Sequence, residues 1–323
     1  MVPKGYMQDI HFSQYDQAPL LQNIAQNGIY AGDIRLSANY RNQWFSVPVP
    51  YNTFAFGIES RLLKDKLSED IFSLGVFLAR DIAGDSKLSN TSVQINISYA
   101  KRLTNHWFLL GGFYTGVGQR RLDKSALTFD DQYMGDYFNP DMISADLANL
   151  HKTQFIHLDM GMGLGTRWQK SNRMYANIGW SLSHLNRANQ SFMGHDIRLP
   201  FKQVLHALLS IPIHVKLDFI ASSQFKIQDA YRSIMNTLIF KYHLNTNLGK
   251  TSAIYIGISN RWKDAIIPII GFNYQGWQMG LSYDINTSNF NVATNRNGAV
   301  ELSLSYILSP LPSLPTKHIC PIL

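Results

Sequence analysis

The chain has 323 residues, of which 45% are hydrophobic and only 16% are charged, and its formal net charge is +7. Soluble domains carry about 25% charged residues, so neutral polar residues replace charge here. No stretch approaches the roughly 18 consecutive apolar residues of a membrane helix, which excludes a helical membrane protein. The many aromatic and β-branched residues exclude a disordered chain. Scattered basic residues without a known binding motif predict no nucleic-acid partner.

The amino-terminal segment, residues 1–28, has no strand pattern and is too short and polar to be a domain. Its first eight residues lack the basic and then apolar stretches of a secretion signal, so we expect that a signal peptide has been removed. The segment contains an aromatic pair around two polar residues, at Phe12, Ser13, Gln14 and Tyr15. We predict that it is periplasmic or lies in the lumen of the domain that follows.

Residues 29–309 contain many segments in which apolar and polar residues alternate with a period of two, as they do in strands with one apolar face. Between Trp277 and Ile285, for example, every second residue is apolar. The pattern predicts fourteen strands, at residues 29–40, 51–62, 71–79, 91–102, 107–118, 153–168, 174–184, 202–211, 214–224, 233–242, 253–261, 265–274, 277–286 and 299–308.

This pattern predicts an all-β fold, a transmembrane antiparallel β-barrel of about 14 strands in the outer membrane. Most of the strands have the 9–11 residues that cross a bilayer at a tilt. Because lipid cannot hydrogen-bond the backbone, only a closed sheet satisfies every amide, and its apolar face must point outward. Aromatic residues near strand ends or on the outward face fit the interfacial girdle of such barrels. They are Tyr40, Tyr99, Trp107, Trp168, Trp180, Trp277, Tyr283 and Tyr306.

The connections alternate as they do in outer-membrane barrels, with short periplasmic turns and long extracellular loops. Tight turns are predicted at 103–106, 169–173 and 275–276, and long loops at 41–50, 82–90, 119–152, 185–201 and 287–298. The connections 63–70 and 243–252 are long for turns, and 262–264 is short for a loop. Aromatic residues in the long loops are candidate partner-binding residues, because such side chains often dominate interfaces. They are Trp44, Tyr133, Tyr137, Phe138 and Phe192.

Residues 310–323 follow the last strand as a proline-rich tail that cannot continue a sheet, and we predict that it is extended and periplasmic. The tail contains Cys320, the single cysteine of the chain, and Pro321.

Histidine, aspartate and serine residues, which form metal and catalytic sites in other proteins, do not form a recognisable site in this sequence. His206 and His214 lack a cysteine or carboxylate that would complete a metal site. Five aspartates of the longest loop lack the regular spacing of a calcium site, at Asp123, Asp130, Asp131, Asp136 and Asp141. His157 beside Asp159 is the nearest approach to a hydrolase centre, and nothing supplies a nucleophile with an orienting third group. We predict no enzyme activity, no cofactor and no metal.

The chain resembles the PorP/SprF family of Bacteroidetes outer-membrane proteins, which is associated with type IX secretion and gliding motility. The resemblance spans nearly the whole chain and depends on the order of several short motifs. They are residues 8–15 (QDIHFSQY), 40–44 (YRNQW), Asp81 with 84–85 (GD), 127–133 (LTFDDQY), 280–284 (GLSYD), 298–302 (GAVEL) and 320–321 (CP). The individual family positions are Phe12, Ser13, Gln14, Tyr15, Trp44, Asp284, Glu301, Cys320 and Pro321. The chain departs from the family at residues 23–25 (NIA), where an Asn-Pro-Ala-like step is usual, and at its Ile-Leu ending.

The resemblance implies a non-enzymatic barrel of the type IX machinery, surrounded by outer-membrane lipids and lipopolysaccharide. Its implied partner is either a secreted adhesin, held by its carboxyl-terminal domain at the cell surface, or the periplasmic ring lipoprotein and the partner of that lipoprotein. The alternative function is a porin-like diffusion or substrate channel. Basic residues that would line its lumen or mouths are Arg35, Lys101, Arg167, Lys241 and Arg261.

Overall fold

The alternating segments pair into one closed antiparallel barrel in the computed structural model, whose first and last strands are hydrogen-bonded to each other. The structure describes residues 9–44, 50–67, 69–84, 87–124, 127–139, 141–142, 144–145, 152–192, 196–245, 251–288 and 296–308. The barrel has fourteen strands in this described part of the chain, and every strand pairs with its neighbours in sequence. The predicted fold class is therefore confirmed.

The strands are β1 (Ile34–Gln43), β2 (Tyr51–Leu62), β3 (Ile71–Ala83), β4 (Leu88–Arg102), β5 (Trp107–Arg121), β6 (Gln154–Gln169), β7 (Tyr175–Ser183), β8 (Lys202–His214), β9 (Leu217–Gln228), β10 (Tyr231–Asn245), β11 (Ser252–Arg261), β12 (Ala265–Tyr274), β13 (Trp277–Asn286) and β14 (Asn297–Leu308). Two four-residue helices, α1 (Pro19–Gln22) and α2 (Lys64–Leu67), are not part of the wall, and neither are the short 3-10 turns at Tyr15–Gln17, Ile24–Gln26 and Asp130–Gln132. In the described ranges, no helix has the length and apolar character needed to cross a membrane.

Most strands lie within a few residues of the predicted positions, and β2, β12 and β13 have the predicted bounds. The first strand is the main difference, because it begins at Ile34 and not at residue 29. Strands β3 and β4 extend further than predicted and pair up to Ala83 and Leu88, which shortens the loop between them to 84–87. His206 and His214, predicted on adjacent strands, both lie on β8.

Along the strands, an exposed and mainly apolar outward face alternates with a more buried inward face, which is polar on many strands but apolar on β12 at Ala265, Ile267 and Ile269. On β13, Trp277, Met279 and Leu281 are exposed, whereas Ser282 and Asp284 are buried. One end of the barrel carries the connections 44–50, 122–153, 184–201 and 287–296 and is called the loop end. The opposite end carries 103–106, 170–174 and 275–276 and is called the turn end.

Residues 9–33 run through the lumen and are called the plug. The plug starts at the loop end, where Asp9 contacts Lys202 at the start of β8, and reaches the turn end at Gly28, which contacts Glu59 near the end of β2. Phe12, Leu20 and Ile24 pack against inward apolar residues of the wall, including Phe77 and Tyr114. The lumen therefore has a core of its own, and residues 29–33, predicted to be strand, belong to the plug.

Candidate functional site

At the loop end, a buried charged cluster holds the plug to four strands, β1, β11, β13 and β14. The carboxylate of Glu301 on β14 accepts hydrogen bonds from the backbone amides of Ser13 and Gln14, each at 2.7 Å. Arg41 on β1 contacts Glu301 at 3.1 Å and Asp284 of β13 at 2.8 Å, and all three side chains are at most 2% exposed. This Glu301 cluster comprises Ser13, Arg41, Arg261, Asp284 and Glu301.

The hydroxyl of Ser13 is central to the Glu301 cluster. It accepts hydrogen bonds from Arg41 at 2.6 Å and from Arg261 of β11 at 2.8 Å, and it donates to Asp284 at 2.7 Å. Gln14 adds a side-chain contact to Ser282. Ser13, Gln14, Asp284 and Glu301, which the sequence marks only as separate motif positions, therefore meet in one site inside the barrel.

A second charged cluster, the His184 cluster, binds the start of the plug. It comprises Asp9, Tyr114, Asp159, His184 and Lys202. The two ring nitrogens of His184 lie 2.7 Å from the Asp9 carboxylate and 2.9 Å from the Asp159 carboxylate. Lys202 donates to Asp9 at 2.8 Å, and Tyr114 donates to Asp159 at 3.1 Å. A histidine between two carboxylates satisfies both of them only as an imidazolium, because the charged ring donates a hydrogen bond from each nitrogen.

His184 lies just beyond the end of β7, and its pKa is raised. Burial alone would lower the pKa of this ring, but the charge of Asp9 and the hydrogen bonds to Asp159 and Asp9 overcome burial and raise the pKa to about 9. The difference from the ordinary value near 6.5 corresponds to roughly 3 kcal/mol of interaction with the charged ring. The stabilisation is complete below pH 6.5 and is lost as the pH rises through about 9.

We therefore expect the plug to become easier to release above pH 9. The measurement is hydrogen exchange of the backbone amides of residues 9–15 in the detergent-solubilised barrel between pH 7 and pH 10, corrected for intrinsic exchange. His184→Gln removes the titrating group, so its plug should be less protected at pH 7 and should lack the alkaline transition. A variant with the same transition as the unmodified protein would contradict this assignment.

In the middle of the lumen, the plug backbone lies directly on glycines of the wall. Asn23 caps the following turn through the amide of Ala25 at 2.9 Å and donates to the carbonyl of Leu164 on β6 at 3.1 Å. A Cβ placed on Gly112 of β5 would lie 2.9 Å from the carbonyl carbon of Ile24. Residues 23–25, where the sequence departs from the usual family step, thus form a close backbone contact between the middle of the plug and the wall.

At the turn end, Glu59 and two arginines hold the end of the plug. Glu59 is fully buried, accepts from the amide of Gly28 at 3.1 Å and pairs with Arg35 at 2.7 Å. Arg61 donates to the carbonyls of Gly28 and Tyr30, and its guanidinium lies over the Tyr30 ring. The plug is therefore bound at both ends of the barrel by charged side chains of the wall.

The predicted partner-binding aromatics occupy different environments at the loop end. Tyr133 and Tyr137 are 60% and 59% exposed, and Tyr133 packs on Phe138 with ring centroids 5.3 Å apart. Trp44 packs on Tyr51, and Phe192 packs on Phe155 at the start of β6. The structure brings Tyr133, Tyr137 and Phe138 together on one loop and places the other two aromatics against strand ends. Their role in binding stays a prediction.

The weaker chemical candidates have structural partners. Asp159 belongs to the His184 cluster, and His157 lies near Gln190 at 3.4 Å. His206 contacts Gln26 of the plug at 2.5 Å. In the long loop, the Asp131 carboxylate accepts from the amide of Ala145. Among the residues that the structure describes, no group of three His, Cys, Asp or Glu side chains is placed to hold a metal ion.

Of the five basic residues considered for a lumen, Arg35, Arg167, Lys241 and Arg261 face inward, whereas Lys101 faces outward and pairs with Asp70. Cys320 and Pro321 lie outside the described residues. The sequence marked Asp9 only as part of the motif at residues 8–15. It gave no signal for His184 and Lys202 beyond their charge, because both lie at strand ends.

These features define the class: the protein is a β-barrel of the outer-membrane type whose lumen holds a plug formed by its own amino-terminal segment. The family described as "Type IX secretion system membrane protein PorP/SprF" matches residues 4–306 of the chain. The chain therefore belongs to the PorP/SprF family, as the motifs predicted. Fold and family together point to the outer membrane as its location. No curated protein sequence matches the chain.

Solved barrels share the fold at low sequence identity. The toluene transporter TbuX of Ralstonia pickettii is 11% identical, with 90% of this chain and 92% of that chain covered and a TM-score of 0.56. The CymD monoaromatic hydrocarbon channel is 10% identical, with the same coverage and a TM-score of 0.51. A deltaS2S3 mutant of the TodX monoaromatic hydrocarbon channel also has 10% identity and a TM-score of 0.51, covering 89% and 92% of the two chains. These likenesses show the barrel fold alone.

Proposed function

We propose that the protein is a non-enzymatic scaffold of the type IX secretion machinery, in which the loop end binds a secreted adhesin or its carboxyl-terminal domain at the cell surface. Ring components, the lipoprotein and its partner, would approach from the turn end, since short turns face the periplasm in outer-membrane barrels. Outer-membrane lipids and lipopolysaccharide would surround the wall. Family membership supports the secretion role, and the observation that carries the binding role is the structure of the β5–β6 loop.

The β5–β6 loop presents apolar side chains on a backbone held by its own hydrogen bonds. Buried Gln132 accepts from the amide of Phe129 at 2.9 Å and donates to the carbonyl of Met142 at 2.8 Å. Around this centre, Tyr133, Met134 and Tyr137 are all more than half exposed. A segment that its own hydrogen bonds hold in place loses little entropy on binding, which favours the described residues 127–139 as a protein-binding surface.

The plug favours a scaffold over a diffusion channel. In the described part of the lumen, buried side chains of the plug and the wall contact each other in the loop-end half, and the Glu301 and His184 clusters fix them there. A cavity of about 300 Å³ remains beside them, lined by Asp9, Arg41 and Asp81. A solute would have to displace paired charges to pass, which is costly in a region of low dielectric constant. The porin-like function remains the alternative, and it predicts steady conductance of the unmodified barrel.

The triple variant Tyr133→Ser, Met134→Ser, Tyr137→Ser removes the exposed apolar surface and leaves Gln132 and its bonds in place. We expect at least a tenfold loss of the exported protein that copurifies with the tagged barrel, because truncating central aromatic residues costs about 2 kcal/mol or more each at interfaces. The measurement is quantitative mass spectrometry of the copurified proteins, together with surface display of the exported protein.

Trp262→Ser is the matched control, because Trp262 is 62% exposed on the short β11–β12 loop at the same end of the barrel. It should copurify as much exported protein as the unmodified barrel does. If the triple variant is inserted at normal levels and retains the same exported protein, the loop does not bind it.

A further inference from the structure

A cavity of about 470 Å³ occupies the turn-end half of the lumen, below the plug. Asp16 and Gln26 of the plug line one side of it, and the exposed residues Ala31 and Asn172 line the rim of the barrel. Its volume lies within the range of roughly 300–1,000 Å³ found for small-molecule sites. The plug separates this cavity from the loop end, so a ligand would enter at the turn end.

The charged side chains of the cavity are mostly cations without a carboxylate partner. Among its described lining residues, Arg35 is paired with Glu59, whereas Arg61, Arg167 and Lys241 form no ion pair. Arg167 is held by Gln169 and Asn177 and lies 4.2 Å over the centre of the Tyr175 ring. The single lining carboxylate, Asp16, accepts from Ser222 at 2.7 Å and lies on the plug.

Arg61, Arg167 and Lys241 against Asp16 leave the cavity with a positive excess. Glu59 and Asp218 also lie near Arg61 and Lys241, but each is already paired with another cation. Enclosed charges are costly without a counter-charge, so an anion bound there would be favoured. A guanidinium that neighbouring amides and an aromatic ring hold in place is preorganised to bind a carboxylate or phosphate through two hydrogen bonds.

Apolar residues form part of the remaining wall of the cavity, beside neutral polar residues such as Asn273, Gln278 and Ser305. Ile71, Phe108, Leu208, Ile220 and Ile239 line it beside the cations, and Tyr255 adds an aromatic ring. A free inorganic ion would leave this surface without a partner, whereas an apolar body attached to the anion would cover it.

We infer that the turn-end cavity binds an organic anion, a phosphate or carboxylate group on an apolar body, whose charge Arg61, Arg167 and Lys241 balance. This site goes beyond the proposed secretion role and does not depend on it. In a barrel whose turns face the periplasm, the ligand would come from that side, either as a free lipid-like acid or as the carboxyl end of a peptide.

The test uses the full-length barrel in nanodiscs and para-(trifluoromethyl)phenyl phosphate as the probe, observed by fluorine NMR. We expect saturable binding of the probe and at least about tenfold weaker binding in Arg167→Gln and Lys241→Gln, a loss of about 1.4 kcal/mol or more. Arg167→Lys retains the charge and should bind more tightly than Arg167→Gln. The uncharged analogue para-(trifluoromethyl)benzyl alcohol should bind much more weakly than the phosphate.

Lys101→Gln is the matched control, because Lys101 is an exposed cation on the outer surface at the same end and pairs with Asp70. It should bind the probe like the unmodified protein, and each variant is first shown to migrate as a folded, heat-modifiable barrel.

Competition against the bound probe distinguishes the two sources of the ligand. Octanoate represents a lipid-like acid, and N-acetylphenylalanine represents a peptide carboxyl end. Absence of saturable binding, or equal affinity in all cation variants, would overturn the inference, whereas the triple loop variant should leave this binding unchanged.

Discussion

Replacing Glu301 with alanine is expected to release the loop-end half of the plug while the barrel wall stays folded. The substitution leaves the amides of Ser13 and Gln14 without their acceptor and removes one of the two acidic partners of Arg41. Removing one member of a buried ion pair costs about 3–5 kcal/mol, because the remaining charge is buried without compensation. The wall keeps its backbone hydrogen bonds, so the loss falls on the contact between plug and wall.

The measurement is hydrogen exchange of residues 9–15, where we expect exchange to be at least about 100-fold faster than in the unmodified protein. Planar-bilayer recording adds a second readout, since an unplugged lumen should show conductance events that the unmodified barrel lacks. Glu69→Ala is the control, because Glu69 is 62% exposed on the turn before β3 and pairs with Arg102. An exposed pair contributes at most about 1 kcal/mol, so this variant should stay closed. If Glu301→Ala keeps the normal hydrogen-exchange protection of residues 9–15 and shows no conductance, the plug is held by other contacts.

Replacing Gly112 with valine is expected to displace the middle of the plug. Gly112 faces the lumen, and a Cβ at this position would meet the backbone of Ile24 at 2.9 Å and the amide nitrogen of Ala25 at 3.0 Å. A side-chain conformer cannot relieve a clash with backbone atoms, so either the plug or the strand must move. Overpacking of this kind costs about 1–3 kcal/mol or more.

The neighbouring residue provides a matched control for this substitution. A Cβ on Gly111 would point to the outer face and meet only the side chain of Leu164, at an ordinary 3.9 Å. Gly111→Val should therefore keep both the fold and the plug, whereas Gly112→Val should lose protection of residues 23–27 in hydrogen exchange by about tenfold or more. If the two variants exchange alike, the plug does not lie on β5 in the membrane.

The two experiments also bear on function, since they separate the plug from the loops. A scaffold that binds an exported protein through the β5–β6 loop should still bind it after Glu301→Ala, provided that the loop keeps the bonds of Gln132. A channel would instead gain conductance from the same substitution. Copurification and conductance measured on one variant therefore distinguish the two functions.

Sequence reasoning located the wall well because strand periodicity is a local property. Strands such as β12 and β13 had the predicted bounds, since each apolar residue that faces lipid is followed by one that faces the lumen. It failed at residues 29–33, where two apolar residues suggested the start of a strand. In the structure, Tyr30 instead donates to the carbonyl of Glu59 from within the plug, which no local pattern records.

The candidate site likewise combines residues that local sequence motifs mark with contacts that only the tertiary structure shows. Ser13, Asp284 and Glu301 were recognisable as motif positions, but the sequence offered no reason for them to be in contact. Their meeting depends on closure of the barrel between β1 and β14, which places Arg41 opposite Glu301, and on the plug entering from the loop end. His184 was missed because its importance arises from Asp9, 175 residues away in sequence.

The sequence by itself determined the barrel, because a period of two and the absence of long apolar runs leave a closed sheet as the fold that can cross lipid, and its ordered motifs indicated the PorP/SprF family. Only the tertiary structure decided what fills the barrel. Contacts between the plug and the wall join residues up to 289 positions apart, as in the bond between Ser303 and Gln14. Such contacts exist only when the closed wall brings inward-facing charges around one segment of chain.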